Sequence, residues 1–430
     1  MSAVLPSLDL PSYEEAAARV AVYAAQRSRV RPAQERVELG QASGRVLAQP
    51  LLADRDQPPF ARSTRDGYAC RVAEASTHKP LAIAGASRAG DPPSGPLSPG
   101  TAWEIMTGAP VPDGADAVAM LEHIEESPSS DRTSGHIRLL PPRTLKPGEN
   151  IVAQGVQACA GDELLPAGTV LHSGQIALAA TCGYASLDVC LRPRVAILTT
   201  GDELVPIDSS PAPGQIRNSN APMLSSLVAN AGGVPWILPT AADNPQALDE
   251  ALSQAAAADL LLISGGVSAG KFDLVEAALS RIGAHFRFTG VRIQPGKPTV
   301  FGDLPRRTST GSQPLPFFGL PGNPLSSAVS FLLFAAPVLA ALAGNRESPP
   351  RFALAQLAPP ADRHGKPDLT RFLPASCTFS ASTDQPPQVS FVPWHGSGDL
   401  VALARSNCFL VVPQDVHSVA PGSLVRILLL

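Results

Sequence analysis

The sequence predicts a multi-domain α/β plus β protein, in which a central, doubly wound, mostly parallel α/β domain is joined to a β insert domain and a C-terminal β-barrel-like domain. Strand-like and helix-like segments alternate through the middle third of the 430 residues, which is typical of βαβ units. Before this region short β-like runs are separated by Pro/Gly turns. After residue 350 helical periodicity stops. The length suits roughly three domains of about 150 residues each.

The chain begins with a predicted helix. The string Ser12-Tyr13-Glu14-Glu15 is a capping box, and residues 16–26 continue it. Residues 37–52 are expected to form extended or short helical segments. The next region, residues 58–150, is predicted to be all-β because short apolar runs alternate with turn residues. Its strands are expected at 81–84, 102–106, 117–121 and 137–140.

The middle third predicts a parallel sheet with helices on both faces and right-handed crossovers. Ser219 or Asn220, Asp243 and Asp273 are candidate caps of its shorter helices. The uncharged run 328–344 is near the minimum length of a membrane span, but it follows a strand and a turn, so we expect a buried helix. Strands are expected at 195–199, 234–238, 260–263, 285–293, 299–301 and 317–320, and helices at 220–231, 244–256, 274–280 and 328–344.

The C-terminal region is predicted to be a small β domain. Its strands are expected at 352–357, 372–379, 388–392, 400–404, 409–412 and 424–429.

Composition excludes several classes of function. With 33 basic and 37 acidic residues the net charge is −4, whereas non-specific nucleic-acid binders carry a basic excess. The six cysteines are scattered and form no Cys-x-x-Cys pair, so neither a zinc ribbon nor a disulfide framework is expected. The first ten residues lack the pattern of a signal peptide. We therefore expect a cytoplasmic protein that contacts neither membrane nor nucleic acid.

Three turns follow predicted parallel strands, where ligands of open α/β sheets bind. The first, Thr199-Thr200-Gly201-Asp202-Glu203-Leu204, brings hydroxyl and carboxylate oxygens suited to Mg²⁺ and a phosphate. The second, Ser264-Gly265-Gly266-Val267-Ser268-Ala269-Gly270 with Asp273 beyond it, is a glycine-rich loop through which backbone amides can approach an anion. The third is Pro321-Gly322-Asn323-Pro324. Each also has a purely structural interpretation as an ordinary βα turn.

Further polar clusters lie outside these turns. Lys297, in Pro295-Gly296-Lys297-Pro298, offers a point charge for phosphate. Two clusters in the β-rich region, 62–68 and 106–110, mix polar residues with turns, and each by itself is more typical of structure than of function.

Taken together, these strings resemble the molybdopterin molybdenumtransferase family, which includes MoeA and the gephyrin E domain. The match runs in order along nearly the whole chain. It comprises Gly44-Arg45-Val46-Leu47-Ala48, Ser63-x-x-Asp66-Gly67-Tyr68-Ala69, Ile105-Met106-Thr107-Gly108-Ala109-Pro110, Gly148-Glu149-Asn150-Ile151, Thr200-Gly201-Asp202-Glu203-Leu204, Gly214-Gln215-Ile216 with Ser219-Asn220, Ser264-Gly265-Gly266-Val267-Ser268, Pro295-Gly296-Lys297-Pro298, Leu320-Pro321-Gly322-Asn323-Pro324 and Gly396-Ser397-Gly398.

The resemblance implies a four-domain homodimer. The first domain would be discontinuous, from residues 1–53 and 155–192. The β insert would cover 54–154, the α/β molybdopterin-binding core 193–345 and the C-terminal β domain 346–430. The implied reaction inserts molybdenum from molybdate into adenylylated molybdopterin, with Mg²⁺-dependent hydrolysis of the adenylate and release of AMP. Implied partners are the molybdopterin adenylyltransferase and molybdoenzyme acceptors.

The resemblance also assigns roles to residues. The residues that match catalytic positions of the family are Asp66, Thr107, Glu203, Asp243 and Asp273. Glu203 and Asp273 are the implied metal ligands, with Asp243 as a supporting carboxylate, while Asp66 and Thr107 are expected to face the core of the partner subunit. Substrate binding falls on Thr200, Gly201, Ser219, Asn220, Ser264, Gly265, Gly266, Ser268, Lys297, Pro321, Gly322, Asn323 and Pro324.

Three positions depart from the family pattern. Arg65 stands where many members have Met, Gln157 where they have Asp, and Gln294 where they have Lys. One positive and one negative charge are therefore missing, and Arg65 is a candidate replacement cation. The departures leave open an alternative of another class, a non-catalytic molybdopterin-binding carrier of the same fold. A different nucleotide-dependent transferase on the same core is disfavoured, because the adenylylating enzymes lack the insert and the tail.

Overall fold

The structure is a computed structural model. It describes residues 10–92, 95–127, 135–266, 274–308, 311–345, 350–359, 368–378 and 385–430.

The central sheet has six strands and is mostly parallel, as predicted. Its order is Val234–Ile237, Arg194–Thr199, Leu260–Ser264, Leu315–Leu320, Val300–Leu304 and His285–Phe288. The first four strands are parallel, whereas the last two pair antiparallel at one edge. All residues of the strand Leu260–Ser264 are buried, as expected for a parallel strand that is covered on both faces.

Helices cover both faces of this sheet. Successive strand residues point to opposite faces, so Ile197 contributes to one apolar cluster and Leu198 to another. The helices Asn220–Asn230 and Tyr13–Arg27 pack on the first face, and Pro245–Ala255 and Leu274–Arg281 pack on the second. The doubly wound arrangement is therefore confirmed.

The N-terminal helix begins at the predicted capping box. The Ser12 N–H donates to Glu15 Oε2 at 2.8 Å, and the Glu15 N–H donates to Ser12 Oγ at 3.2 Å. The buried side chain of Tyr23 meets the Phe301 ring edge-on at 5.2 Å between centroids. This helix therefore packs on the α/β core.

The long apolar helix follows the turn at 321–323 and consists of Pro324–Ser330, a π-helical segment Phe331–Ala335 and Ala336–Leu342. By length and composition it could cross a membrane, but 78% of its most apolar window is buried inside the protein. Leu325, Val329 and Phe334 are completely buried. The predicted buried helix is confirmed.

The β insert contains a six-stranded sheet. Its order is Ala117–Met120, Gly67–Cys70, Thr101–Ile105, Leu81–Ser87, His136–Leu139 and Ile124–Ser127. The predicted strands at 81–84, 102–106, 117–121 and 137–140 are all present with shifted ends. A short helix, Val72–Ala75, also lies in the insert.

The N-terminal segment pairs with the segment that returns after the insert. The strand Gln34–Glu38 pairs antiparallel with Ser186–Cys190, and Leu51–Leu52 pairs with Glu163–Leu165. These pairs link the two stretches of the predicted discontinuous domain, whose boundaries stay a prediction. The remaining short elements are distributed along the chain. They are the 3₁₀ turns Leu39–Gln41 and Leu121–His123, the helix Ser173–Thr181, and the strand pairs Arg62–Ser63 with Ile151–Val152, Leu204–Val205 with Ile216–Arg217 and Arg307–Thr308 with Gly311–Ser312.

The C-terminal region forms a closed β-barrel. The strands run Thr370–Thr378, Gln388–Phe391, Phe352–Leu357, Leu424–Leu429 and Cys408–Val412, and the last pairs with the first to close the ring. The short strand Ile293–Gln294 joins this sheet from the core. The barrel-like domain predicted from the sequence is confirmed.

Two of the predicted elements were wrong. Residues 400–404 form the helix Leu400–Arg405 rather than a strand, because Asp399 Oδ1 accepts the Ala402 N–H at 2.9 Å and starts a helix. The single strand expected at 285–293 is split into two strands that belong to different sheets.

One predicted cap was right in position and another was wrong. Ser219 is the N-cap residue of Asn220–Asn230, but its side chain makes no capping hydrogen bond, and the Ala221 N–H is accepted by Asn218 Oδ1 at 3.1 Å. The cap predicted at Asp243 was wrong. The Ala247 N–H is accepted by Asn244 Oδ1 at 2.9 Å rather than by Asp243. The third candidate, Asp273, lies outside the described residues.

Candidate functional site at the carboxyl ends of the central strands

A cleft of about 690 Å³ lies beyond the carboxyl ends of three parallel strands of the central sheet. We call it the strand-end cleft. The turns that follow Arg194–Thr199, Leu260–Ser264 and Leu315–Leu320 form its floor, as expected for an open α/β sheet. Most of the predicted site residues line it: Thr200, Gly201, Glu203, Ser219, Asn220, Asp243, Ser264, Gly265, Gly266, Pro321, Gly322, Asn323 and Pro324.

The three turns pack closely because they carry glycine. Gly265 has φ +97°, and a Cβ there would lie 2.5 Å from the carbonyl oxygen of Thr200. A Cβ on Gly266 would lie 2.6 Å from Val275 Cγ2 of the helix Leu274–Arg281, and a Cβ on Gly322 would be in ordinary van der Waals contact with the Gly265 Cα at 3.6 Å. Since no side chain fits at Gly265, the backbones of the Thr200 turn and the Gly265 turn meet directly at the sheet edge.

Asn220 connects two of these turns. Its Nδ2 donates to Ser264 Oγ at 2.8 Å and to the Gly322 carbonyl at 2.7 Å. Its Oδ1 and the Thr200 Oγ1 are buried, and neither has a hydrogen-bond partner among the described residues. Buried polar atoms usually have partners, so these two atoms fit a polar ligand in the cleft.

Acidic side chains gather on the other side of the Thr200 turn. The Asp243 N–H donates to Asp202 Oδ1 at 3.0 Å. Burial raises the pKa of Asp243, and the negative charges of Asp202 and Glu203 raise it further. The Glu203 carboxylate lies over Gly201, where a Cβ would be 2.6 Å from Oε2. A bound cation reduces the electrostatic repulsion between carboxylates that lie close together.

These oxygens fit Mg²⁺ in their chemistry, because hard carboxylate and hydroxyl oxygens are its usual protein ligands. Within the described ranges no group of three or more His, Cys, Asp or Glu side chains is arranged to hold a metal by itself. Asp273, the second predicted ligand, lies outside the described residues, as does Ser268.

The other predicted residues lie away from this cleft. Lys297 is exposed and does not line it, although its neighbour Pro298 does. Asp66 and Thr107 are in the insert and contact each other, with Asp66 Oδ1 accepting the Thr107 N–H at 2.6 Å and the hydroxyl at 2.8 Å. These two hydrogen bonds hold the pKa of Asp66 below its usual value. The pair does not line the strand-end cleft of its own chain.

Most of the chain matches one protein family in three consecutive parts. Residues 11–183 match the MoeA N-terminal region (domain I and II), residues 196–341 the probable molybdopterin binding domain, and residues 358–430 the MoeA C-terminal region (domain IV). A protein of Nostoc sp. named molybdopterin molybdenumtransferase is 34% identical over 407 residues, which are 92% of this chain and 88% of that protein. The chain belongs to the molybdopterin molybdenumtransferase (MoeA) family.

Other relatives agree over the same length. The Bacillus subtilis protein named molybdopterin molybdenumtransferase is 32% identical over 408 residues, which are 92% of this chain and 90% of that one. A crystal structure titled molybdopterin biosynthesis MoeA protein, from Pyrococcus horikoshii, has a TM-score of 0.77 at 26% identity and covers 98% of this chain and 100% of that one. The predicted family and fold are therefore confirmed.

Two polar residues of the cleft in this MoeA-family chain, Arg217 and Asn218, were not among the predicted site residues. Asn218 Nδ2 donates to Thr199 Oγ1 at 2.8 Å and to Thr240 Oγ1 at 3.2 Å, so Asn218 holds adjacent strand ends together. Arg217 is the only positively charged residue among the described residues that line the cleft. Asn218 could have been predicted, because it lies directly before a helix, where Asn side chains often bind the backbone. No local pattern predicts Arg217 in the cleft, because only the pairing of Leu204–Val205 with Ile216–Arg217 places it there.

The C-terminal domain of this MoeA-family chain also reaches the cleft. Asn323 Nδ2 donates to Ser397 Oγ at 2.9 Å, and the Leu325 N–H donates to the Ser397 carbonyl at 3.0 Å. Gly398 and Leu400 line the cleft as a result.

The three positions at which the sequence is expected to depart from the MoeA-family pattern lie elsewhere. Arg65, Gln157 and Gln294 do not line the strand-end cleft of their own chain. Arg65 is exposed in the insert, and the Gln157 N–H donates to the Gln57 carbonyl at 2.9 Å. Within this cleft Arg217, rather than Arg65, supplies a positive charge.

Proposed function

We propose that the chain inserts molybdenum from molybdate into adenylylated molybdopterin, with Mg²⁺-dependent hydrolysis of the adenylate and release of AMP and molybdenum cofactor. Membership of the family supports an enzymatic role in molybdenum cofactor biosynthesis. The observation that carries the finer proposal is the convergence of turns at the strand-end cleft, where unpartnered Thr200 and Asn220 atoms lie beside carboxylates.

The substrate would bind mainly through side chains. The N–H of Gly265 already donates to the Leu320 carbonyl and that of Gly201 to the Ala241 carbonyl, so neither is available to a phosphate. The Thr200 hydroxyl and Asn220 Oδ1 are buried atoms of the cleft residues that have no partner among the described residues. Arg217 also lines the cleft, with its Nε donating to the Ser209 carbonyl at 3.0 Å. In this proposal Arg217 pairs with a phosphate oxygen, since a guanidinium binds phosphate through charge-assisted hydrogen bonds.

Glu203, with Asp243 and Asp273 in support, would hold Mg²⁺. The metal ion would neutralise the charge that develops as the phosphoanhydride is cleaved. Glu203 and Asp243 would attract the cation and fix its position beside the Thr200 turn, because their carboxylates and that of Asp202 lie close together.

Asp66 and Thr107 enter the proposal through a homodimer. They are exposed in the insert and lie outside the cleft of their own chain, so their catalytic role requires the core of a partner subunit. Further proposed partners are the molybdopterin adenylyltransferase, which would supply the substrate, and molybdoenzyme acceptors. The proposed location is the cytoplasm, with no contact to membrane or nucleic acid.

The test uses the purified chain with adenylylated molybdopterin, Mg²⁺ and molybdate. We expect release of AMP and activation of an apo-molybdoenzyme. Glu203→Ala should reduce AMP release by about 100-fold or more, as is usual when an electrostatic contribution to catalysis is lost. Glu250→Ala is the matched control, because Glu250 is exposed on the helix Pro245–Ala255 and does not line the cleft.

The carrier alternative predicts a different result in the same assay. Wild type would bind the pterin tightly without releasing AMP, and Glu203→Ala would leave that function intact. Absence of AMP release by the wild type under all these conditions would reject the proposed reaction.

A further inference from the structure

A second cleft, of about 700 Å³, lies between the N-terminal segment and the α/β core. We call it the basic cleft. It shares none of its lining residues with the strand-end cleft. Arg45, His172, Arg192 and Arg351 line it, and no Asp or Glu does so within the described part of the chain. A cleft with positive charge on several sides and no acid among its lining residues concentrates anions.

Arg45 forms the buried wall of the basic cleft. It is only 8% exposed, and its Nη2 is held by the Glu35 carboxylate and by the Cys190 carbonyl at 2.9 Å. Its Nε is buried and has no hydrogen-bond partner among the described residues. Glu35 neutralises the charge of Arg45, and the buried Nε–H donor of Arg45 remains unused by the described residues.

The surplus positive charge comes from Arg192 and Arg351. Both side chains are exposed, and neither forms an ion pair with a residue that the structure describes. Arg192 follows the strand Ser186–Cys190, and Arg351 directly precedes the strand Phe352–Leu357. The fold thus brings together two unpaired arginines that are far apart in the sequence.

The N-terminus of the helix Ser173–Thr181 adds to this charge. Its cap residue His172 and its first-turn residue Gln175 both line the basic cleft. The positive end of a helix favours anions nearby, above all phosphate.

We propose that the basic cleft binds a phosphorylated small molecule, with its phosphate between Arg192, Arg351 and the start of the helix Ser173–Thr181. Arginine favours phosphate because its planar guanidinium forms paired hydrogen bonds to two oxygens. The cleft is large enough for a metabolite attached to that phosphate. This inference does not depend on the proposed molybdenum transfer, since the two clefts are separate.

The test is calorimetric titration of the full chain at low salt, with inorganic phosphate and with glucose 6-phosphate as probes. We expect glucose 6-phosphate to bind more tightly than phosphate, and added KCl to weaken both. The double variant R192Q/R351Q should weaken binding by about tenfold or more, because charge-assisted hydrogen bonds are lost. R192K/R351K keeps the two charges but loses the paired hydrogen bonds, so it should weaken binding less than R192Q/R351Q does. Both positions are exposed, so thermal unfolding should be unchanged.

Two control variants separate this site from other sources of binding. Arg29→Gln removes an exposed positive charge away from both clefts and should leave binding unchanged. Arg217→Gln removes the cation that would hold a phosphate in the strand-end cleft, so the component of binding that R192Q/R351Q abolishes should persist in this variant. The proposal is overturned if neither probe binds, if R192Q/R351Q binds as well as wild type, or if only Arg217→Gln abolishes binding.

Discussion

Replacing Gly265 by alanine tests the close packing of turns on which the strand-end cleft depends. An alanine at positive φ costs about 1–2 kcal/mol, and Gly265 has φ +97°. The new Cβ would lie 2.5 Å from the Thr200 carbonyl oxygen and 3.1 Å from its Oγ1, and overpacking of this kind adds about 1–3 kcal/mol. We therefore expect Gly265→Ala to destabilise the core by about 2–5 kcal/mol, the sum of the two.

Gly232→Ala is the matched control in the same α/β core. Gly232 has φ +86°, but a Cβ at this position would meet no atom of the described residues within 4 Å, so only the backbone cost of about 1–2 kcal/mol applies. The difference between the variants measures the contact between the turns. Urea unfolding can follow Trp236 in the central sheet, in a background where Trp103 and Trp394 are phenylalanine. Equal destabilisation by the two variants would refute the close approach of Gly265 to Thr200.

Two further predictions concern other charged groups. Arg217→Gln should raise the KM for adenylylated molybdopterin by about tenfold with little change in kcat, because a charge-assisted contact to bound substrate is lost; an unchanged KM in steady-state assays would contradict that role. The N–H groups of Ala402 and His395 donate to the Asp399 carboxylate and hold its pKa below its usual value. The ionised carboxylate therefore stabilises the fold above the unfolded-state pKa of about 3.9, and this stabilisation is lost as the pH falls through the lower pKa of the folded state. Asp399→Ala should therefore lower the calorimetric unfolding temperature at neutral pH, and the difference from wild type should become smaller as the pH is lowered. A difference that does not depend on pH would argue against this helix cap.

Much of the fold could be predicted because local patterns and tertiary packing agree. The capping box at Ser12 and the apolar strands of the central sheet lie where their sequence patterns indicate. The segment 400–404 was misread because an apolar run of five residues suits a strand or a helix, and only the Asp399 cap distinguishes them. The site was predicted at turns that follow parallel strands, because ligands of open α/β sheets bind at the edge where those strands end.

Ordered motifs and periodicity along the chain were enough to predict the family, the order of the elements and the turns that carry polar residues. Which of those residues meet became visible only in the three-dimensional fold. Thr200, Asn220 and Gly322 meet because parallel strands end at one edge of a sheet. Arg217 reaches the strand-end cleft, and Arg192 and Arg351 reach the basic cleft, through contacts between segments distant in the chain. Such long-range proximity has no local sequence pattern, because it follows from how whole elements pack.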